Sequence, residues 1–397
     1  MSLRKSKIYI IMSNAKLIEQ LKKSGALKSA AIAQAFRATP RHRFLPLVTA
    51  AEAYQDKAIV TKMQDGVPIS SGSQPAIVAI MLEQLEAQPG MNVLEIGAGT
   101  GYNAALLGQL VGPQGHVTTI DIDDDIVAQA QRHLRANGAT NVEATCGDGG
   151  LGYAARAPYD RIILTVGAWD IVPAWFAQLK VGGRIVLPLG LSARQYSLAF
   201  DKQADHLRSH NMQLCGFMRL RGAFASSEQV KVVGAFTLGG ESLAQLDVDK
   251  LVQLMQQPAQ THELPQSDSV QNGDLLDYLL LHESSLLVLP NDKDKRPFNY
   301  AYALYTPTLD SLALLVNLDE KQWNVIAEVR VYGHDATFKK LTAQIAAFDA
   351  AGRPSLAHSQ IQAYPLGRAP SPTATQQRIV RKWMEYLITF DQSGHHR

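Results

Sequence analysis

Cysteine is nearly missing from this sequence. Cys146 and Cys215 are the two present, too few for a disulfide framework or a thiolate metal cluster. Net charge is nearly missing as well. The 38 lysines and arginines face 36 aspartates and glutamates, for a formal +2, so bulk charge gives no footprint for nucleic acid or an anionic membrane. No run approaches the ~18 apolar residues of a membrane-spanning helix. Arg4 to Lys7 followed by Ile8 to Met12 imitates a signal peptide, but the apolar run is shorter than the ~7–15 residues of an h-region. Met12 reads as an alternative start, and residues 1–11 are left out of the fold reading. The expectation is a cytoplasmic protein with neither nucleic-acid nor membrane partners. No His, Cys or carboxylate spacing suggests a metal. No His–Asp or Cys–His set demands a catalytic role; His42, His116 and His133 read as surface or packing residues.

What is present is organised in two parts. The 397 residues exceed the ~250 at which single cores stop growing, so two domains are expected, 14–224 and 225–397. Residues 14–37 read as helical, with Leu17, Leu21, Leu27, Ile32, Ala35 and Phe36 at roughly helical spacing and Pro40 as a stop. A loop through Tyr54, Gly66 and Pro68 follows. Pro75 opens a helix over Ala76–Leu85, since proline suits a first turn. Then strands and helices alternate. Strands are expected at Val93–Ile96, His116–Asp121, Val142–Thr145, Arg161–Val166 and Arg184–Leu189. Helices are expected at Ala104–Val111, Ile126–Asn137 and Pro173–Leu179. Such alternation predicts an α/β, doubly wound, Rossmann-like parallel sheet. From Ser226 the rhythm is lost, and 225–397 reads as a C-terminal α+β domain. There, 256–274 look like a linker, Leu275–Leu281 and Leu312–Asn317 like short strands or helices, Phe338–Phe348 like a helix, and Arg378–Phe390 like a helix or strand. Trp323, Trp383 and Tyr386 read as core residues or as the lining of a peptide groove.

The densest signal is Leu94-Glu95-Ile96-Gly97-Ala98-Gly99-Thr100-Gly101-Tyr102. A strand enters the glycines and a helix leaves them. Glycine allows a sharp turn and close approach of backbone to a ligand, and a helix start adds free N–H groups and a positive dipole. Dinucleotide enzymes carry the related GxGxxG. Here the spacing is GxGxG, Glu95 stands two residues before Gly97, and Gly147-Asp148-Gly149 closes a later strand, which points to S-adenosylmethionine. Asp121 ends the second strand, where a carboxylate can accept both ribose hydroxyls. Asp148 ends the third, where it can accept from the adenine amino group. Both places are carboxyl ends of parallel strands, where open α/β sheets bind ligands. The expected cofactor set is Glu95, Gly97, Ala98, Gly99, Tyr102, Asp121, Ile122, Asp148 and Gly149, with S-adenosylhomocysteine as product. Plainer readings stand beside these: the Asp121–Asp125 run as a helix cap, Asp148 as a turn residue, Glu95 as support for the loop.

Ile69-Ser70-Ser71-Gly72-Ser73-Gln74-Pro75 precedes the second helix. Further segments are Arg37-Ala38-Thr39-Pro40-Arg41-His42-Arg43-Phe44-Leu45-Pro46, Ala53-Tyr54-Gln55-Asp56, Ala157-Pro158-Tyr159-Asp160 and Leu187-Pro188-Leu189-Gly190. With the glycine segment and Gly147-Asp148-Gly149, they resemble the protein-L-isoaspartate O-methyltransferase family over roughly residues 14–224. The family's pre-helix motif is T-I-S-Q-P or T-I-S-A-P, so Ser71 stands for its Thr and Gly72 for its Ile. The resemblance implies methyl transfer from S-adenosylmethionine to an Asp or isoAsp carboxylate of a peptide or protein. It implies Ser73 as the catalytic residue beside donor and carboxylate, although Ser73 could also cap the following helix. It implies Ser71, Gly72, Ser73 and Gln74 as the substrate-binding set. A carboxylate with an unperturbed pKa of ~4 is ionised near pH 7, so no general base is required.

The chain continues well past Phe224, near where members of that family usually end. This layout is similar to the longer branch found with lanthipeptides and other ribosomally made peptides. It implies tailoring of such a peptide by Asp to succinimide and isoAsp conversion. The alternatives are an L-isoaspartyl protein-repair methyltransferase and a cofactor-binding, non-catalytic substrate adaptor. Against methylation of amino groups, there is no Asn-Pro-Pro-Tyr-type motif. Peptide recognition or dimerisation is left for 225–397, and the oligomeric state is left open.

Overall fold

The computed structural model describes residues 14–191, 194–225, 229–233, 236–240, 246–264, 273–283, 285–288, 299–317 and 328–391. The stretch 1–11 and Trp323 lie outside the described residues. Apolar residues at three- and four-residue spacing bury one face each of α1 (14–23) and α2 (Ala30–Ala38); Leu17, Leu21, Ile32 and Phe36 are all buried. The single helical stretch expected over 14–37 is two helices. Gly25, at φ +76°, turns the chain out of the first. Ser29 then caps α2 by accepting from Ile32 N at 3.3 Å. After the short α3 (Ala50–Ala53), the expected loop is an antiparallel hairpin of β1 (Ile59–Gln64) and β2 (Val67–Gly72). Its turn is Asp65-Gly66, both at positive φ, a pair suited to a two-residue hairpin loop.

Helix α4 (Pro75–Leu85) leads into the main sheet. The order is β3 (Asn92–Ile96), α5 (Tyr102–Val111), β4 (His116–Asp121), α6 (Asp124–Ala136), β5 (Val142–Cys146), β6 (Tyr159–Leu164), α7 (Pro173–Gln178), β7 (Leu179–Gly190), β8 (Gln195–Lys202) and β9 (Leu207–Cys215). Strands β5, β4, β3, β6 and β7 are parallel neighbours in that order, and β8 and β9 continue antiparallel. Successive side chains on a strand face opposite ways. On β3, Val93 joins the core under α4 and α5, whereas Leu94 joins Ile162 and Trp175 on the other face. Both faces are covered, which is why β3 reads as an unbroken apolar run. Between β3 and β6 the strand order reverses, and the glycine loop leaves the sheet at this switch point.

The C-terminal part builds a second sheet. It contains β10 (Gln229–Val233), β11 (Phe236–Gly240), α8 (Val248–Met255), β12 (Gln260–Glu263), α9 (Gly273–His282), β13 (Leu286–Val288), β14 (Asn299–Tyr305), β15 (Ser311–Asn317), β16 (Glu328–Gly333) and α10 (Ala336–Ala350). Neighbours in the order β10-β11-β13-β14-β15-β16-β12 are antiparallel. Leu275 and Leu279 of α9 pack with Leu341 and Phe348 of α10 in one core; Leu251 and Leu254 of α8 pack in another. The chain then returns to the first sheet through β17 (Ser355–Pro365), β18 (Gln376–Val380) and β19 (Met384–Asp391). β17 pairs with β9, giving ten strands in the order β18-β19-β17-β9-β8-β7-β6-β3-β4-β5. The expected division at 224/225 therefore does not coincide with an edge of the sheet. Leu275–Leu281 is helical, and Leu312–Asn317 is strand. Tyr386 is core, its hydroxyl donating to Asp170 Oδ1 at 2.7 Å. Among the described residues, no helix is long and apolar enough to cross a membrane.

Candidate active site

β3 ends at Ile96 and the backbone turns back along the carboxyl edge of the sheet. Gly97 sits at φ +103°. A side-chain carbon there would lie 2.7 Å from Thr165 Oγ1 and 2.9 Å from Val166 Cγ1, so the turn requires glycine. Gly97 N and Ala98 N both donate to Ile120 O, at 2.8 and 3.2 Å, which pins the loop to β4. Gly99 N donates to Asp121 Oδ2 at 3.1 Å. A Cβ on Gly99 would stand 3.6 Å from Ser71 O, so the loop after β2 faces the glycine loop directly.

Between the two loops lies a cleft of about 280 Å³. Ser71, Gly72, Ser73 and Gln74 line it together with Glu95, Gly97, Ala98, Gly99, Tyr102 and Asp121. The structure thus gathers the four candidate substrate residues and six of the candidate cofactor residues. Ile122, Asp148 and Gly149 do not line this cleft. Ile122 and Asp148 lie under the segment 221–224, which runs over them as a strap, and Gly149 packs on Ile96 and Ile120. Asp148 accepts from Gly150 N at 2.9 Å and from Ala223 N at 2.8 Å, so it is a turn residue with acceptor capacity left over. Gly149 O accepts from Trp175 Nε1 at 2.8 Å.

Ser73 does not cap the helix. The N-cap of α4 is Gln74, whose side chain does not cap. Asp56 does that work from outside, accepting from Ala76 N at 2.8 Å and from Gln74 Nε2 at 3.1 Å. Asp123 likewise precedes α6 without a side-chain capping bond; it is held by Arg221 at 2.6 Å and Lys62 at 3.5 Å, and Lys62 also reaches Asp125 at 2.6 Å. The β1–β2 hairpin and the strap therefore converge on the acidic run after Asp121. These pairs are partly exposed, so each is worth no more than about 1 kcal/mol.

A buried acid, Glu95, and a half-buried one, Asp121, shape the field of the cleft. Glu95 is fully buried; its Oε1 accepts from Asn103 Nδ2 at 2.7 Å, and the Thr119 hydroxyl of β4 lies beside the carboxyl across the strand pair. Burial pushes its carboxyl up to about 7. Burial also pushes Asp121 up, opposed by the Gly99 N–H. The Tyr102 hydroxyl is buried, with no hydrogen-bond partner among the described residues. Buried polar atoms are rarely left unpaired.

One residue near the cleft, Arg41, stands in a segment that carries the family resemblance but has no role assigned to it there. Arg41 is fully buried behind Gly72 and Ser73, whereas an isolated arginine in a sequence reads as surface.

The family profile described as protein-L-isoaspartate(D-aspartate) O-methyltransferase (PCMT) matches residues 12–223, just over half of the chain. The protein-L-isoaspartate O-methyltransferase of Methanopyrus kandleri is 38% identical over 212 residues, covering 52% of this chain and 90% of that protein. The enzyme of the same name from Thermotoga maritima is 39% identical over 194 residues, 48% of this chain and 61% of that protein. A solved structure titled protein-L-isoaspartate O-methyltransferase aligns over 88% of this chain and 96% of its own, at 26% identity and a TM-score of 0.52. That alignment runs beyond residue 223 into the C-terminal part. The chain belongs to the protein-L-isoaspartate O-methyltransferase family and is an S-adenosylmethionine-dependent carboxyl O-methyltransferase.

Proposed function

We propose that the chain esterifies L-isoaspartyl carboxylates of peptides or proteins, the repair-type reaction, with Ser73 and its neighbours holding the carboxylate. The observation that carries this is the juxtaposition of Ser71–Gln74 and Gly97–Gly99 across one cleft. Peptide tailoring drew its support from the extension. A structure bearing the isoaspartate name aligns over 88% of this chain, so the extension no longer favours tailoring over repair. Residues 14–224 are proposed to carry the catalytic and cofactor-binding residues; within 225–397, β17–β19 flank the same sheet and the segment before them is proposed as an accessory part.

When bound, S-adenosylmethionine supplies a methyl group on a positively charged sulfur. The substrate carboxylate needs no base, because it is already ionised near pH 7. Its oxygen forms the new C–O bond while the C–S electron pair stays on sulfur, so no proton moves. The residues therefore act by orientation. Asp121 would hold the ribose and Asp148 the adenine end, while Glu95, through Asn103, would support the glycine loop. Ser73 would donate its hydroxyl to the carboxylate and keep one oxygen in line for attack.

The test uses the full-length protein, S-adenosylmethionine and matched peptides carrying Asp or isoAsp at one position, with ester and succinimide followed by mass spectrometry. Ester on the isoAsp peptide alone is expected. Ester on the Asp peptide alone would overturn the repair reading in favour of tailoring.

A further inference from the structure

Arg41 is a full positive charge in the interior, and among the described residues no carboxylate lies within salt-bridge distance of it. Its exposure is 0%. Both its Nη groups donate to backbone carbonyls, Nη1 to Ala53 O and, at 3.2 Å, to Gln55 O, Nη2 to Lys57 O at 3.1 Å, Gly72 O at 3.2 Å and Ser73 O at 2.9 Å, while Nε has no partner among the described residues. Burial costs this cation, and Asp56 is the nearby acid that offsets part of the cost. A buried charge of this kind is expensive. The site therefore needs a reason beyond packing, and the last two contacts supply one.

In a trans peptide the C=O and the following N–H point in opposite directions. Gly72 O and Ser73 O face Arg41, so Ser73 N–H and Gln74 N–H face away from it. Away from Arg41 is the cleft, which Gly72, Ser73 and Gln74 line and Arg41 does not. Neither N–H has a hydrogen-bond partner among the described residues, and both precede α4, whose dipole adds to their positive end. We propose that Arg41 is a positioning residue: by gripping two successive carbonyls it aims the Ser73 and Gln74 N–H groups into the cleft as a paired site for the methyl-accepting carboxylate, with its own charge behind them. This rests on the carboxyl-methylation reading above and adds the residue that builds the pocket.

The sign of its effect follows from charge. Carboxylate and sulfonium neutralise each other during methyl transfer, so donors to the carboxylate hold the ground state at least as well as the transition state. Such interactions lower KM without raising kcat. Arg41→Gln keeps two donors and removes the charge; Arg41→Lys keeps the charge and removes the fork. Both are assayed on whichever peptide carboxylate the wild-type enzyme esterifies. For Arg41→Gln the expected result is a KM for that peptide raised about tenfold or more, the scale of a lost charge-assisted contact. The kcat and the KM for S-adenosylmethionine should stay within about threefold, and Arg41→Lys should recover part of the loss. Inhibition by the methyl-ester product peptide, which lacks the negative charge, should be the same in wild type and variant. A merely structural arginine would weaken ester and carboxylate binding alike, and that outcome overturns the proposal. If both variants fail to fold, the wild-type enzyme decides: a carboxamide analogue that competes as well as the carboxylate peptide would overturn it, and a preference of about tenfold for the carboxylate would uphold the donor pair. No turnover of any peptide by the wild type would defeat the reaction reading itself, which is a different result from an unchanged KM in Arg41→Gln.

Discussion

The ring of Phe224 lies so close over Gly150 that a methyl group at position 150 would fall 2.2 Å from Phe224 Cδ2. Phe224 is held there by the C-terminal part. Trp383 packs on it with ring centroids 5.4 Å apart, Trp169 packs on Trp383 at 5.2 Å, and Trp169 Nε1 donates to Phe224 O at 3.1 Å. The strap over Asp148 is thus braced by a residue from the turn before β19. Trp383→Ala should weaken S-adenosylhomocysteine binding about three- to tenfold, the value of an aromatic pair, with kcat at saturation little changed. Calorimetry and steady-state rates measure the two.

Gly97→Ala should cost both fold and cofactor. The residue would have to adopt φ +103° with a carbon 2.7 Å from Thr165 Oγ1. Backbone strain of this kind costs about 1–3 kcal/mol. A lowered Tm and cofactor binding lost to calorimetry are the expected results.

Ser73→Ala should separate the two halves of the cleft. Ser73 lies on the side away from the glycine loop and is not used as a helix cap. Turnover of the isoAsp peptide should fall about 10²-fold, while cofactor affinity stays within about twofold. Equal losses in both would remove Ser73 from the substrate side.

Glu95 predicts a pH dependence of stability in the ligand-free protein. Its carboxyl titrates at about 7 when folded and at 4.5 when free. Between those values the folded state keeps a proton that the unfolded state has lost, so stability falls as pH rises from about 4.5 to about 7. The fall should be on the order of 3 kcal/mol. In Glu95→Gln the part of the slope that Glu95 contributes over that window should be lost, as read by denaturant unfolding of both proteins at several pH values.

The cofactor half of the site was legible because it is local. A strand, a glycine turn and a helix start follow one another within Leu94–Tyr102, and each announces itself by residue type. The hairpin at Ile59–Gly72 was missed although Asp65-Gly66 is a strong turn pair. Its strands are short and largely exposed, so they lack the apolar alternation that identifies a strand. Arg41 was illegible for a different reason. Its burial depends on carbonyls from residues 53 to 73 meeting at one point, and no local pattern encodes that. The return of β17–β19 to the first sheet was hidden likewise, since the partner β9 lies some 150 residues earlier.

That return changes which part of the chain is the appendage. A cut after residue 224 would leave β9 as a bare edge, with a row of unpaired N–H and C=O groups able to recruit another chain. It would also release Phe224 from Trp383. The segment between β9 and β17 is the part that leaves and rejoins the ten-stranded sheet, so in topology it is an insertion. The last strands are a permanent flank of the catalytic sheet. A shortened protein made to imitate the smaller relatives should therefore keep the strap through Phe224, bridge it to β17 and discard the segment between, keeping the tail.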